Sequence, residues 1–382
     1  MRRIGWLWEK LTSFENLYLA ARKARRGKRE KIPVERFEFD LERNLTELSR
    51  SLLDRSYRPG SFRTFMISDP KPRLISAAPY RDRVVHHVIC NVLEPIFERS
   101  FIFDSYACRR GKGTHASVDR YIRFARLNRY VLKCDVRKFF PSVDHQILME
   151  QLGRKIKDPN VLWLAGMIVE HSNPQEEVPG FFPGDDLFTA LERKRGIPIG
   201  NQTSQFFSNV YLDPLDHFIK ERLRCRHYLR YCDDFVVLDN DKGRLAEVRD
   251  GIEKFLLNRR LWLHPKKRVI SRVDEGLRFL GYRIWPNRIL LNRRGLARFC
   301  RRLKRYQHLV RTGRLSPQSL TQRIRSWIGH ACHADTWRLR SDLFRRTIFL
   351  GPVASLSRAS GRVLEQQAEQ HPIHQSQQEQ TR

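Results

Sequence analysis

Two short segments of the sequence place aspartates next to apolar, β-prone runs, where carboxylates can do chemistry. Asp135 follows the run 131–134, and Asp233 and Asp234 separate the runs 228–232 and 235–238. A carboxylate in such a strand is destabilising without a cation, and clustered carboxylates raise one another's pKa. Divalent Mg²⁺ prefers oxygen ligands, and two such ions serve phosphoryl displacement. The acids suit a two-metal site, although spacing alone does not bring Asp135 to Asp233, and paired aspartates are also common in turns.

The elements that position these acids can be predicted from hydrophobic spacing and turn residues. Residues 228–238 predict a hairpin with Asp233 and Asp234 at its turn, and residues 131–140 begin as a strand. A helix from about 144 follows, with Asp144 as its N-cap. Elsewhere the pattern predicts helices in the first sixty residues, strands at 61–67 and 73–77, a helix at 82–98, a loop or insertion at 172–198, helices near 202–221 and 245–257, a strand at 278–285, and basic helices from 293.

The charge of the chain points to a polyanionic partner. The 382 residues include 73 Lys and Arg against 42 Asp and Glu, a formal net charge of +31. Residues 283–346 carry 17 Lys and Arg but two acids, and 22–31 form a second basic cluster. Like charges so concentrated repel one another unless a polyanion neutralises them, and nucleic acid is the usual one.

Composition also bears on the compartment of the protein. We expect no membrane span, because no apolar run reaches about 18 residues, and no signal peptide, because charged residues follow Met1 closely. The seven cysteines are scattered without a Cys-x-x-Cys pair, which indicates reduced thiols in the cytoplasm. The Gln- and Ser-rich tail, within 351–382, is predicted to be disordered.

Several motifs in consecutive order resemble those of bacterial reverse transcriptases. Tyr231-Cys232-Asp233-Asp234 is similar to the Tyr-x-Asp-Asp signature of that family, and Asp135 with Phe139-Phe140-Pro141-Ser142 resembles its first palm motif. Further similar blocks lie at 71–75, 82–85, 93–98, 105–113, 196–205, 263–267 and 279–282. The resemblance covers about residues 15–345.

The resemblance implies an α+β right-hand polymerase fold, with fingers, a palm built on an antiparallel sheet, and a helical thumb. We expect N-terminal helices and fingers at 1–134, the palm at 135–285 with its insertion near 172–198, and a basic thumb at 286–350. The activity implied is RNA-directed DNA polymerisation, in which a primer 3′-hydroxyl attacks the α-phosphate of a dNTP. The partners implied are template RNA, the cDNA or primer, and dNTPs.

The resemblance also implies roles for individual residues. Asp135, Asp233 and Asp234 would bind two Mg²⁺ ions, with Mn²⁺ as a substitute and the Val136 carbonyl as a further ligand. The residues implied to bind the dNTP are Lys71, Arg73, Phe140, Ile199, Gly200, Gln205 and Lys267. Among them Arg73 and Lys71 would hold the triphosphate, Phe140 would exclude a ribose 2′-hydroxyl, and Lys267 would protonate the pyrophosphate. For Phe139 a place in the core fits better.

Two groups of basic residues are expected to bind nucleic acid. Basic residues beside glycines suit the phosphates of a template backbone, and basic thumb helices suit a template–primer duplex. The residues assigned to these contacts are Arg109, Arg110 and Lys112 in the first group, and Arg301, Arg302, Lys304 and Arg305 in the second.

The segment around Ile199 indicates a subclass. Most bacterial members carry Gln-Gly-x-x-x-Ser-Pro, whereas this chain has Ile199, Gly200 and then Ser204-Gln205. That pattern and the insertion at 181–187 resemble the reverse transcriptases of diversity-generating retroelements. The resemblance implies cDNA synthesis from a template-repeat RNA with errors at adenines, and a small basic accessory protein as partner. An aliphatic side chain at 199 cannot hydrogen-bond the nucleotide, which is compatible with looser discrimination.

Other functions remain open from the sequence. A retron, group II intron-like or antiphage reverse transcriptase is the alternative within the family. A non-catalytic RNA-binding scaffold is the alternative outside it, and it predicts that Asp233→Ala changes nothing. Three intact acids argue against a scaffold, because buried acids without a cation destabilise a fold.

Overall fold

The computed structural model describes residues 3–68, 72–173, 180–186 and 188–350. Those residues divide into two compact units. The first contains the chain up to residue 280 and residues 284–287, and the second contains 281–283 and the chain from 288 onward. Lys71 and the tail at 351–382, for which the sequence suggested a phosphate contact and disorder, lie outside the described residues.

The first unit begins with helices and a hairpin. Its leading elements are α1 (Trp8–Thr12), α2 (Phe14–Ala24), α3 (Ile32–Phe39), α4 (Leu41–Leu53), β1 (Arg63–Ile67) and β2 (Arg73–Ala77). Buried leucines recur at three- and four-residue spacing in α4, at Leu45, Leu48 and Leu52. The predicted helices and both predicted strands are confirmed, and β1 pairs antiparallel with β2.

The centre of this unit is a four-stranded antiparallel sheet in the order β4-β5-β3-β6. Its strands are β3 (Tyr130–Asp135), β4 (His227–Tyr231), β5 (Asp234–Asp239) and β6 (Val269–Arg272). Residues 235–238 of β5 are all buried, as expected for an apolar strand covered on both faces.

Further helices of this unit precede, connect or follow these strands. They are α5 (Tyr80–Glu98), α6 (Thr114–Ala125), α7 (Phe139–Ser142), α8 (His145–Gly153), α9 (Pro159–Glu170), α10 (Thr189–Glu192), α11 (Gln202–His217) and α12 (Lys242–Leu257). The Asp144 carboxylate accepts the Ile147 N–H at 3.0 Å and caps α8, as predicted. Helix α11 is buried along most of its length, contacts α5 and α8, and continues into a π-helical turn at Phe218–Arg222.

Two predicted elements differ from the structure. The strand expected at 278–285 is two strands, β7 (Leu277–Phe279) and β8 (Tyr282–Trp285), because Leu280 and Gly281 both have positive φ, +49° and +92°, and cannot continue an extended strand. The loop expected at 172–198 contains the short helix α10, and its residues 174–179 and 187 lie outside the described part.

The second unit is mainly helical and basic, as predicted. After β9 (Arg288–Leu291), its helices are α13 (Arg293–Arg311), α14 (Pro317–Ala331) and α15 (Trp337–Arg345). The Phe299 ring of α13 stacks on the Trp327 ring of α14 with centroids 3.7 Å apart. Tyr282 donates its hydroxyl to the His330 carbonyl at 2.7 Å, so this histidine is packed within the unit.

Candidate active site

The pairing of β3 with β5 brings the predicted acids to one end of the sheet. Asp135 ends β3 and lies directly opposite Asp234, the first residue of β5. Asp233 precedes it in the tight turn after β4, and its carbonyl accepts the Val136 N–H at 3.3 Å. Asp233 is therefore in the turn as predicted, whereas Asp234 is the first residue of the strand. The structure thus brings together acids almost one hundred residues apart in the chain.

These acids lie in a poorly solvated environment. Asp135 is 8% exposed. Burial raises the pKa of Asp233, and the nearby charge of Asp135 raises it further. Burial also raises the pKa of Asp234 to about 6, against the opposing effect of Lys133, and a hydrogen bond with Asp135 contributes. Acids that raise one another's pKa are common at functional sites, and a cation bound beside Asp233 and Asp234 would relieve their repulsion.

Two lysines supply positive charge at this cluster. Lys267 donates from Nζ to Asp135 Oδ2 at 2.7 Å. Lys133 Nζ lies 3.8 Å from Asp234 Oδ1 and donates to the Arg278 carbonyl at 2.9 Å. The sequence-based interpretation included Lys267 and missed Lys133. The available signal was spacing, since residues 133 and 135 are two apart in one strand and so share a face of the sheet.

The donor set fits a hard divalent metal ion. Three carboxylates meet at one sheet end, and oxygen ligands of this kind suit Mg²⁺. Across the described ranges, no three His, Cys, Asp or Glu side chains are already arranged as a metal ligand set. At Asp135 the ammonium of Lys267 engages the carboxylate at 2.7 Å. The three carboxylates are of the ligand type that Mg²⁺ prefers. That they and the Val136 carbonyl bind the metal stays a prediction.

The residues expected around a nucleotide lie on three nearby segments of the first unit. Arg73 is exposed at the start of β2. Phe140 is half-buried in α7, whereas Phe139 is buried, which agrees with the separate roles given to them. The Ile199 carbonyl accepts the Ser76 N–H of β2 at 3.3 Å, so the hairpin contacts this segment. Gln205 is exposed in the first turn of α11.

Gly200 has a backbone that requires glycine. Its φ is +114°, and a Cβ built there would lie 3.0 Å from Cγ2 of Ile75 in β2. A side chain at this position would meet both unfavourable backbone geometry and a close neighbour. Glycine at this position therefore permits the close approach between residue 200 and β2.

The side chain of Arg109, expected to contact nucleic acid, is largely engaged within the protein. Its side chain is 6% exposed, and its guanidinium donates to the Glu98 carboxylate and to the carbonyls of Ile102 and Ser105. Those bonds occupy the donors that a phosphate would need, so the structure favours a structural role. Lys112 is also engaged, with Nζ donating to the Phe103 carbonyl at 2.8 Å and lying 3.3 Å from that ring's centroid. In the same loop, Arg110 is exposed.

The basic residues of α13 share an exposed face. Phe299, Leu303 and Val310 are buried on the opposite side of the helix. The residues assigned to nucleic-acid contacts, Arg301, Arg302, Lys304 and Arg305, are all exposed. The helix is therefore amphipathic, with a cationic outer face suited to a phosphate backbone.

Comparisons with known proteins identify the family of this chain. The sequence model described as "Reverse transcriptase (RNA-dependent DNA polymerase)" matches residues 68–284. Protein YkfC of Escherichia coli (strain K12) is 26% identical over 278 residues, which cover 62% of this chain and 70% of that protein. Group II intron-encoded protein LtrA of Lactococcus lactis subsp. cremoris is 21% identical over 309 residues, 64% of this chain and 50% of LtrA. Among solved structures, apo telomerase from Candida tropicalis aligns with a TM-score of 0.46 and 13% identity, covering 72% of this chain and 60% of that one.

The fold and the family match define a template-dependent nucleotidyltransferase. The chain belongs to the reverse transcriptase family, and it is an RNA-directed DNA polymerase by class. This assignment confirms the expected α+β right-hand polymerase fold. Membership of this family implies an RNA template, a primer and dNTPs as substrates, and a general requirement for divalent metal ions. In the described part of the chain, no helix is long and apolar enough to cross a membrane.

Proposed function

We propose that the chain copies RNA into cDNA by two-metal nucleotidyl transfer at Asp135, Asp233 and Asp234. The observation that carries this proposal is the pairing of Asp135 with Asp234 across β3 and β5, with Asp233 in the adjoining turn. These carboxylates, with the Val136 carbonyl, would hold two Mg²⁺ ions, and Mn²⁺ could replace them. When bound, such ions neutralise charge on the attacking and leaving oxygens of a phosphoryl displacement.

The remaining side chains then bind and orient the substrates. Arg73 and Lys71 hold the triphosphate, because cationic side chains suit a polyphosphate. Gly200 lets the nucleotide approach the backbone, and Phe140 excludes a 2′-hydroxyl. The ammonium of Lys267, 2.7 Å from Asp135 Oδ2, is close enough to the acids to give a proton to the pyrophosphate.

The domain assignment is part of the proposal. It comprises fingers at 1–134, a palm at 135–285 and a thumb at 286–350. The division of the chain into two units around residues 281–288 supports the boundary between palm and thumb, whereas the proposed fingers and palm belong to the same unit. The exposed cations of α13 track the template–primer backbone, and Arg110 contacts the template strand. Binding through so many cations makes the affinity strongly dependent on salt.

For the biological role, we propose the copying of a template-repeat RNA with adenine-biased errors, as in diversity-generating retroelements. The side chain of Ile199 supports this, because it is half-buried and cannot hydrogen-bond a base or nucleotide. A site without a hydrogen bond to satisfy rejects a wrong pair less strongly. Gln205, exposed where most bacterial members have proline, belongs to the same nucleotide-binding segment. A small basic accessory protein completes this proposal as a partner.

A second candidate role is favoured by the curated relatives. LtrA is encoded by a group II intron, and other similar proteins are intron proteins or intron maturases. An intron-type reverse transcriptase would share the acids and the cationic helix, but it would not misread adenine. The error spectrum of the cDNA therefore separates the two roles.

The test is primer extension on an RNA template with adenines at known positions, in Mg²⁺ and dNTPs, followed by sequencing of the cDNA. Metal-dependent cDNA that is lost in Asp233→Ala supports the polymerase, and errors concentrated opposite adenine support the retroelement role. Faithful cDNA contradicts that role and favours the intron-type alternative. Binding of RNA by both proteins without cDNA from either, also after addition of an accessory protein, supports a non-catalytic scaffold.

A further inference from the structure

A fully buried ion pair lies behind the turn that carries Asp233. Arg230 in β4 and Asp216 in α11 each expose 0% of their side chains. The guanidinium donates two hydrogen bonds to the carboxylate, from Nε to Oδ1 at 2.7 Å and from Nη2 to Oδ2 at 2.6 Å. The Tyr228 hydroxyl donates to the same carboxylate at 2.6 Å. Such a bidentate ion pair fixes the plane of the guanidinium and thereby the direction of the remaining nitrogen, Nη1.

That remaining nitrogen reaches the turn itself. Nη1 of Arg230 donates to the carbonyl of Cys232 at 3.0 Å and to Oδ1 of Asn209 at 3.1 Å. Asn209 lies on α11, and its own amide donates to the Ala107 carbonyl at 2.9 Å. One guanidinium therefore connects a buried helix to the backbone immediately before Asp233.

The backbone at that point adopts a conformation that needs support. Cys232 has φ +57°, in the left-handed region that residues with a Cβ rarely adopt. Strained positions persist where their surroundings over-determine them. Here the hydrogen bond from Arg230 holds the carbonyl of Cys232 on one side, and the bond from Val136 holds the carbonyl of Asp233 on the other. Both bonds act on the peptide units that flank the Asp233 side chain.

We propose that Arg230 is a positioning residue for the polymerase reaction: clamped by Asp216, it fixes the left-handed turn that presents Asp233 beside Asp135. This inference rests on the role proposed above for the three acids. It differs from a purely stabilising role for a buried ion pair, because it requires the bond from Nη1 to Cys232 as well as the pairing with Asp216. A lysine can satisfy the pairing but has a single nitrogen and cannot make the same set of bonds.

The test compares two variants of the ion pair between Arg230 and Asp216, which we call the clamp variants, with a matched control. Arg230→Lys keeps a charge opposite Asp216, and the double variant Arg230→Met with Asp216→Leu replaces the pair by apolar side chains, a change that folds often tolerate. The control is Lys155→Met, which breaks the ion pair between Lys155 and Asp213 of α11, 3.6 Å apart, without touching the turn. For all proteins we would measure the melting temperature, kcat and KM for a dNTP, and amide hydrogen exchange of residues 228–238 without metal or nucleic acid.

The inference predicts a specific pattern. Both clamp variants should show exchange in the turn faster by about tenfold or more, because loss of local hydrogen bonds favours local opening. Their kcat should fall by about tenfold or more with KM within about threefold, as for an interaction that acts in the reaction step. Lys155→Met should lower the melting temperature while its turn exchange and kcat stay near those of the wild-type protein.

Folded clamp variants whose turn exchange and kcat match those of Lys155→Met would overturn the inference and leave the pair a structural one. If the double variant does not fold, Arg230→Lys decides the question in the same way. A wild-type protein without polymerase activity would refute the proposed function instead, and the exchange measurement would still decide whether Arg230 fixes the turn.

Discussion

Replacement of Gly200 by alanine tests the close approach between the nucleotide-binding segment and the fingers hairpin. The alanine would have to adopt a backbone φ of +114°, and its Cβ would lie 3.0 Å from Cγ2 of Ile75. The same segment is tied to the hairpin by the hydrogen bond from Ser76 to Ile199. The substitution therefore either displaces the hairpin or moves the backbone that we propose faces the dNTP.

The expected effect of Gly200→Ala on activity can be worked out from the geometry. Placing a residue with a Cβ in such a backbone region costs about 1–3 kcal/mol of conformational free energy. The contact with Ile75 adds to this, because it is tighter than ordinary van der Waals contact and one side must move by a few tenths of an ångström. If that free energy appears in the productive dNTP complex, kcat/KM falls by about 5- to 150-fold, at about 1.4 kcal/mol for each factor of ten.

The assay is single-nucleotide incorporation as a function of dNTP concentration, with two matched variants. Gly27→Ala carries strain alone, since φ is +68° and nothing lies within 4 Å of the added Cβ. It should reduce stability with little effect on kcat/KM. Ile75→Ala combined with Gly200→Ala removes the contact and should recover part of the loss.

A Gly200→Ala protein with kcat/KM within about twofold of wild type would refute this reasoning, because neither backbone strain nor the contact with Ile75 would then matter to the nucleotide. A loss that Ile75→Ala leaves unchanged would assign the whole effect to the backbone of residue 200.

Three further predictions concern the nucleotide, the fold and the nucleic acid. Phe140→Ala should raise incorporation of ribonucleotides relative to dNTPs, measured as the ratio of kcat/KM values, because the half-buried ring would no longer block a 2′-hydroxyl. Burial raises the pKa of Asp213 from 3.8 to about 6 against the charge of Lys155, so the folded chain retains a proton that the unfolded chain releases. The free energy of unfolding should fall by up to about 3 kcal/mol as pH rises from 4 to 6, and urea titrations of Asp213→Asn should lack that part of the slope. Arg301→Glu should weaken binding of an RNA–DNA duplex and flatten its salt dependence, and unchanged affinity at moderate salt would contradict the role of α13.

The parts of the fold that sequence predicted well are those set by local pattern. The helix α4 follows from leucine spacing, the hairpin of β4 and β5 from two apolar runs around paired acids, and the cap of α8 from Asp144. The break at Leu280 was not predictable in this way, because leucine ordinarily favours an extended or helical backbone and its positive φ is imposed by tertiary structure.

The site shows the same division between local and long-range information. Asp135 and Asp233 can be found from local motifs, and the pairing of β3 with β5 places Asp135 opposite Asp234, next to the turn that carries Asp233. Arg109 has the local signature of a phosphate-binding loop, but Glu98 on α5 takes up its guanidinium. Arg230 gave no local signal for its role, because its partner Asp216 lies on a different element. Spacing in the chain shows which residues are available, and only packing shows which of them are already paired.

The most direct test of the central claim is single-nucleotide incorporation on an RNA template by the wild-type chain, Asp233→Asn and Asp239→Asn. Asp239 is the matched control, because it ends β5, the strand that follows Asp233, at the end away from the turn, and its Oδ2 lies 3.6 Å from Nη1 of Arg244. The account predicts Mg²⁺-dependent incorporation by wild type and Asp239→Asn, and a loss of several orders of magnitude in kcat for folded Asp233→Asn. Equal rates for wild type and Asp233→Asn would contradict it.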